Sequence, residues 1–291
     1  MTYSIVARDP ETGALGVGVQ THQPAVGAVV PWVQPGAGAV ATQSFANIAF
    51  GPQALALLAN GLSAERALAA IIAADDLPGR RQVAIVDGEG RAAVYTGSGC
   101  IPFAGHRIGE GYSVQANMMA RDTVPEAMAE MFELTKGPLP VRVLAALEAA
   151  EAEGGDIRGR QSAAILVKGN DPLDHHWDLR IDNDPEPLAK LRELISIRLA
   201  GQALESPDFK AAGEHHERRL AAAGAAFARA QELAPSDEQA FWFAVRTLTA
   251  VPAVDEAARI LDTLFARAPE WRDLLLRLPM DEAKPLQERF R

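Results

Sequence analysis

Two segments of this chain, Ala84-Ile85-Val86 and Ala163-Ala164-Ile165-Leu166-Val167, are apolar at every position. A strand with one wet face alternates polar and apolar residues, so a strand apolar on both faces belongs to a sheet covered on both. Turn residues recur around these segments at hairpin spacing. Asp9-Pro10-Glu11-Thr12-Gly13 separates strand-like residues 3–8 and 14–20, and Gly88-Glu89-Gly90 separates 82–87 from 91–96. Further strands are expected at 26–33, 39–42, 112–117, 161–167 and 177–181. Helices are expected at 52–60, 63–74, with Ser63 as N-cap, 124–134 and 139–153. The order is strands, two helices, strands, two helices, strands. Hairpins imply antiparallel pairing. The fold class expected is therefore α+β: two stacked sheets between two helical layers, an αββα sandwich over residues 1–205.

Residues 206–291 read differently. They are helical in pattern, punctuated by Pro235, Pro252 and Pro269, after a linker at Glu205-Ser206-Pro207-Asp208. Pro235 and Pro269 are one tetratricopeptide period apart, which makes this segment either tetratricopeptide-like or a small helical bundle. Either way Phe241-Trp242-Phe243 is expected to be core.

Composition removes several classes of function. Apolar residues make up 48% of the 291, so the chain can build a core, and the net charge is −10. No basic face is visible for phosphates, so nucleic-acid binding is not expected. Apolar stretches are interrupted before they reach membrane-spanning length, and no leader is read, so a cytoplasmic protein is expected. Cys100 is the single cysteine, which rules out an internal disulfide or a multi-thiolate site. The adjacent pairs His175-His176 and His215-His216 do not share a face, so neither metal nor cofactor is expected. Gly36-Ala37-Gly38 is followed by strand-like residues and by no acid at the dinucleotide spacing, so it is not a nucleotide fingerprint.

Three side chains remain as nucleophiles. Cys100, with His106 nearby, reads more simply as a small buried hydrophobe, and Ser4 is weaker still. Thr2 follows the initiator Met. With Met1 removed, Thr2 carries an α-amine that can take the proton from its own hydroxyl.

Several stretches, in order along residues 1 to about 185, resemble the prokaryotic domain-of-unknown-function family 1028. They are Thr2-Tyr3-Ser4-Ile5-Val6-Ala7-Arg8-Asp9-Pro10-Glu11-Thr12-Gly13, Gly38-Ala39-Val40-Ala41-Thr42-Gln43, Arg81-Gln82, Thr96-Gly97 with Cys100, Gln115-x-Asn117 and Gly154-Gly155-Asp156-x-Arg158-Gly159-x-Gln161-Ser162. That family is grouped with the N-terminal-nucleophile (Ntn) hydrolases, so the resemblance implies the four-layer αββα sandwich. It also implies Thr2 as nucleophile of an amide or peptide hydrolase. The residues it would set around substrate or oxyanion are Arg8, Thr42, Gln43, Asn47, Gln115, Asn117, Asp156, Arg158, Gln161 and Ser162. Two features depart from the pattern: Ala116 stands where a glycine is expected, and no lysine precedes Lys136. The alternative is a non-catalytic Ntn-like fold that binds a small molecule or peptide, its helical tail recruiting a protein partner. A homo-oligomer is compatible with the sequence but not signalled by it.

Overall fold

The computed structural model describes residues 2–170, 176–204, 216–249 and 253–291. Met1, Asp174, His175, the Glu205–Asp208 linker, His215 and Pro252 lie outside them.

The chain divides into two compact units, residues 1–192 and 193–291. The first contains two antiparallel sheets. In the larger, the central strands β1 (Thr2–Arg8) and β2 (Leu15–Thr21) are flanked by β8 (Tyr112–Asn117) and β7 (Gly105–Gly109) on one side. On the other lie β9 (Ser162–Lys168) and β10 (Trp177–Ile181), giving the order β10-β9-β2-β1-β8-β7. The smaller sheet has the order β3-β4-β5-β6: Pro31–Gln34, Gly38–Ser44, Arg81–Asp87 and Ala92–Thr96.

Opposed faces of the two sheets share one apolar cluster. Val6, Val17, Val19 and Leu166 of the larger sheet meet Val33, Ala39, Ala41, Ala84 and Val86 of the smaller. The other face of the smaller sheet, with Val40, Val83 and Ile85, packs on α1 (Phe50–Ala59) and α2 (Ala64–Ala73) through Phe50, Leu55, Leu58, Leu68 and Ile71. On the larger sheet the glycines of β2 let α4 (Leu139–Ala152) approach: a Cβ at Gly18 would lie 2.3 Å from Val143 and 3.2 Å from Leu147. Helix α3 (Val124–Leu134) packs beside α4 and against β7 and β8. Coverage of both faces explains the all-apolar segments, whose residues 84–86 and 163–167 are buried throughout.

One close contact fixes α1. A Cβ at Gly51 would fall 2.3 Å from the Trp32 ring, and that ring is held by Nε1 donating to the Val29 carbonyl at 3.0 Å. Gly51→Ala is expected to cost about 1–3 kcal/mol, because overpacking against a pinned ring outweighs the gain in helix propensity. A lower urea midpoint at unchanged slope checks this.

Three elements differ from the sequence reading. Residues 26–33 do not form one strand. Val26–Ala28 is a 3-10 turn, and only Pro31–Gln34 pairs. Interior contacts outweigh the β-propensity here: Val26 and Val30 plug the inter-sheet cluster, and the Val26 amide is held by Ser162 Oγ at 3.2 Å. Strand β7 was not anticipated, since Gly105-His106-Arg107-Ile108-Gly109 is carried by pairing with β8. Helix α5 (Pro187–Leu204) was also missed. It runs through the division of the two units, which falls at Arg192/Glu193 within it.

The second unit continues with α6 (His216–Leu233), α7 (Asp237–Trp242) running into a π-helical turn at Phe243–Leu248, α8 (Val254–Arg267), α9 (Glu270–Arg277) and α10 (Lys284–Phe290). Phe241 and Phe243 are buried, and Trp242 is half-buried under the Arg246 guanidinium. No helix among the described residues is long and apolar enough to cross a membrane.

Candidate functional site

Residues paired across antiparallel strands share a face. The register therefore lays Asn117, Thr2, Thr21 and Ser162 in one row across β8, β1, β2 and β9, facing the smaller sheet. The next row inward is Gln115, Ser4, Val19 and Ala164, and the next is Ser113, Val6, Val17 and Leu166. Opposite them, Gln43, Gln82 and Thr96 form a row on β4, β5 and β6, followed by Ala41, Ala84 and Val94. The space between the sheets is thus apolar at one end and lined by amides and hydroxyls at the other.

These polar groups hydrogen-bond across the sheets. Gln43 Nε2 donates to the Thr2 carbonyl at 3.2 Å and to Gln82 Oε1 at 2.8 Å, while Ser4 Oγ donates to Gln43 Oε1 at 2.6 Å. Asn117 Nδ2 donates to Gln82 Oε1 at 2.8 Å and to the Thr2 carbonyl at 3.4 Å. Gln82 Nε2 reaches Thr96 Oγ1 and the Gly105 and Ala116 carbonyls at 2.9–3.2 Å. Gln115 Nε2 donates to Ser4 Oγ at 2.5 Å, and Ser113 Oγ donates to Gln115 Oε1 at 2.7 Å. Ser4, Gln82, Ser113, Gln115 and Asn117 are wholly buried, and Thr2 is 4% exposed. Thr2 Oγ1 donates to Thr21 Oγ1 at 3.2 Å. Among the described residues its hydroxyl and carbonyl meet only uncharged groups. Asn117 Oδ1, in register with Thr2, is a buried acceptor with no donor among the described residues.

The loops at this end are unusual in two respects. The four non-glycine residues with left-handed φ among the described residues are Ala25 (56°), Ser44 (67°), Phe103 (55°) and Met118 (58°). Ala25, Ser44 and Met118 lie where β2, β4 and β8 run out and Phe103 lies just before β7, all at the Thr2 end of the strands and each at a cost of about 1–2 kcal/mol. Exposed apolar side chains also gather there, namely Phe45, Ile48, Phe103 and Ile157.

The other sequence-predicted residues divide. Asp156, 3% exposed, organises the Gly-rich loop after α4: its carboxylate accepts from Arg158 N and Nε at 3.0 Å, from Arg158 Nη2 at 2.7 Å and from His22 N at 3.2 Å. Because His22 follows Thr21, this loop is tied to the Thr2 row. The Gln161 amide N–H donates to the Thr21 carbonyl at 3.1 Å, and Ser162 Oγ donates to the Gln23 carbonyl. Thr42 lies on the opposite face of β4 from Gln43, with Oγ1 on the Asn47 carbonyl at 3.1 Å. Asn47 Nδ2 donates to Asp75 Oδ2 at 3.1 Å, which anchors the loop into α1. Arg8 is at the far end of β1, six residues and about 20 Å from Thr2. Cys100 Sγ bonds the Arg81 carbonyl at 3.4 Å, whereas His106 Nδ1 bonds Thr96 Oγ1 at 2.9 Å, so the two do not form a pair. No group of three metal-ligating side chains occurs among the described residues.

Sequence reasoning did not nominate Gln82, Ser113, Thr96 or Asp75. Gln82 was legible only as the one polar residue in phase with Ala84 and Val86. Asp75 accepts from Arg81 Nε at 2.9 Å, Asn47 and Leu77 N, and Arg81 also donates to the Phe45 carbonyl. The Arg81 bond, with the Asn47 and Leu77 donors behind it, holds the Asp75 carboxyl below its ordinary range. Its stabilising contribution is present above about pH 4, where the unfolded carboxyl is ionised, and is lost as pH falls through the lowered folded value. Asp75→Asn is expected to lower stability at neutral pH and to flatten the acid limb, as read by urea unfolding between pH 3 and 7.

The model of a family of unknown function, DUF1028, matches residues 2–191. The crystal structure of protein SPO2555 from Silicibacter pomeroyi, assigned to the same family model, is 34% identical, covers 67% of this chain and 87% of that one, and superposes with a TM-score of 0.62. Anbu (ancestral beta-subunit) from Yersinia bercovieri is 13% identical over 71% of this chain and 98% of that one, with a TM-score of 0.35. Anbu from Hyphomicrobium sp. strain MC1 is 15% identical over 71% and 100%, with a TM-score of 0.34. No curated protein matches. With its strands, its Thr2 row and its Gly-rich loop all inside the matched residues, the chain belongs to the DUF1028 family.

Proposed function

We propose that residues 1–205 form an Ntn-type αββα sandwich that hydrolyses an amide or peptide bond through Thr2, exposed as the first residue by loss of Met1. The observation that carries this reading is the position of Thr2. It opens a central strand at the polar end of the inter-sheet space, beside a buried acceptor without a donor, Asn117 Oδ1. A free α-amine on Thr2 is a donor in the same cross-strand pair. Burial among uncharged groups disfavours the ammonium form, which leaves the amine able to act as a base without a lysine.

In the reaction Thr2 Oγ1 attacks the substrate carbonyl carbon and passes its proton to the α-amine. Collapse of the tetrahedral intermediate breaks the C–N bond, and the leaving nitrogen takes that proton. Water then cleaves the Thr2 ester, releasing the acid and restoring the hydroxyl. Asn117 and Gln43 position Thr2 through its carbonyl, while Gln115 and the Asp156–Arg158 loop support them. The strained loops fit a site held in place by its surroundings, and the apolar rim of Phe45, Phe103 and Ile157 suits a substrate with apolar groups. No cofactor enters these steps.

A second reading is favoured by one observation: the Thr2 hydroxyl and carbonyl are fully engaged by Thr21, Gln43 and Asn117. On that reading the fold binds a small molecule or peptide without turnover, and the tetratricopeptide-like helices recruit a protein. Intact mass of the protein from its native host, run beside a screen of short peptides and small amides, separates the two. Mass lacking Met1 together with turnover supports the hydrolase; a retained Met1 with no turnover supports the binder.

A further inference from the structure

Arg8 ends β1 at the apolar end of the sheets, remote from Thr2. Its guanidinium makes no hydrogen bond or ion pair with any described residue, and its Nε is buried. The side chain runs between two glycines: a Cβ at Gly90 would lie 3.6 Å from Arg8 Cδ, and one at Gly13 would lie 3.6 Å from Arg8 Nη2. Both glycines have left-handed φ, +87° and +72°, so any side chain there would be strained, and at Gly13 a Cβ would also lie 2.9 Å from Asn170 Nδ2.

Arg142 of α4 reaches the same place. Arg8 and Arg142 line one cavity of about 320 Å³, with Glu89 and Glu110 among its other walls. That is the lower end of the size range for small-molecule sites. Arg142 stacks 4.2 Å over the Phe132 ring and holds only a long pair with Asp9, at 3.7 Å. Its Nε is likewise buried without a partner. Two guanidiniums that line one cavity, with Nη groups that make no hydrogen bond among the described residues, are what a carboxylate would satisfy, through forked N–H···O bonds. The carboxylates add a second requirement. Glu89 is tied to Arg91 at 2.8 Å, and Glu110 is exposed with no ion pair among the described residues. They disfavour a dianion and favour a cationic group at the mouth.

We propose that this cavity binds a small zwitterion of the α-amino-acid type, with its carboxylate on Arg8 and Arg142 and its ammonium group toward Glu89 and Glu110. The proposal is independent of the Thr2 chemistry. It is tested by calorimetric titration of the full chain with L-alanine and L-glutamine, beside acetate, methylamine and inorganic phosphate. Saturable binding of at least one amino acid is expected, with acetate and methylamine at least tenfold weaker and phosphate silent. Arg8→Leu is expected to abolish binding, because it removes one of the two guanidiniums that hold the carboxylate. Glu110→Gln, at an exposed position that leaves folding intact, is expected to weaken amino-acid binding about two- to fivefold without weakening acetate. The proposal is overturned if neither amino acid binds up to about 10 mM, if phosphate binds more tightly than both, or if Glu110→Gln leaves amino-acid binding unaltered.

Discussion

Thr2→Ala is expected to abolish amide hydrolysis, with a loss of about 1,000-fold or more, because the variant has neither an attacking oxygen nor a proton to pass to the α-amine. The fold should survive. Thr2 Oγ1 has a single partner, Thr21 Oγ1, so deletion removes one hydrogen bond between neutral groups, worth about 1 kcal/mol. Thr2→Ser keeps the hydroxyl and should retain measurable turnover. The two variants are compared on whichever amide the screen identifies, with Met1 removal checked by mass in each. Turnover by Thr2→Ala equal to that of the parent would take Thr2 out of the mechanism and leave the binding reading standing.

Gln82→Leu is expected to be among the most destabilising single changes in the first unit, by about 4 kcal/mol or more. Its carbonyl oxygen accepts from both Gln43 and Asn117, and its amide nitrogen serves Thr96 and two backbone carbonyls. Leucine has a similar volume and can bond none of them. The groups left behind are buried between the sheets, where each unmet donor or acceptor costs about 1–3 kcal/mol. Relaxation of Thr96, nearer the surface, recovers part of the loss. Urea unfolding of the full chain reads the effect as a lower midpoint of the first transition. A change under about 1 kcal/mol would mean that water replaces the amide and that the network is wetter than its burial implies. Because Gln43 and Asn117 also hold the Thr2 carbonyl, turnover should fall in the same variant even under conditions where it is folded.

Much of the architecture was legible because periodicity and turn chemistry are local. Hairpins β1–β2 and β5–β6 were read from Asp9-Pro10-Glu11-Thr12-Gly13 and Gly88-Glu89-Gly90, and the helix after Ser63 from its cap, whose Oγ accepts from the Arg66 amide. Residues 26–33 misled because Val26 and Val30 satisfy the core as a 3-10 turn, so β-propensity yielded to an interior packing site. Strand β7 carries two glycines, with His106 and Ile108 exposed and Arg107 half-buried, and exists by pairing with β8, a partner that no local window contains.

The candidate site was legible in parts list more than in arrangement. Thr2, Gln43, Gln115 and Asn117 were singled out, and the structure brings them together. Arg8 stood six residues from Thr2 in the chain and proved to be at the other end of the strand. Asn47 stands before a helix where donors are useful, and one of its amide N–H groups bonds Asp75. Gln82 stood in a stretch that resembles the family but was given no role, because its partners lie on other strands.

By itself, then, the order of residues determined most of the segments that form strands or helices and the two turns of hairpins β1–β2 and β5–β6, but not the 3-10 turn at 26–28, strand β7 or helix α5. What it determined depends on interactions within a few positions of the chain. Only the tertiary structure decided which amides face each other, since strand register and the stacking of two sheets bring Thr2, Gln43, Gln82 and Asn117 together from separations of up to 115 residues. The packing of α4 on the larger sheet brought Arg142 to the same cavity as Arg8. A hydrogen bond is specific over about 3 Å, and only the folded chain sets distances that finely between residues so far apart in sequence.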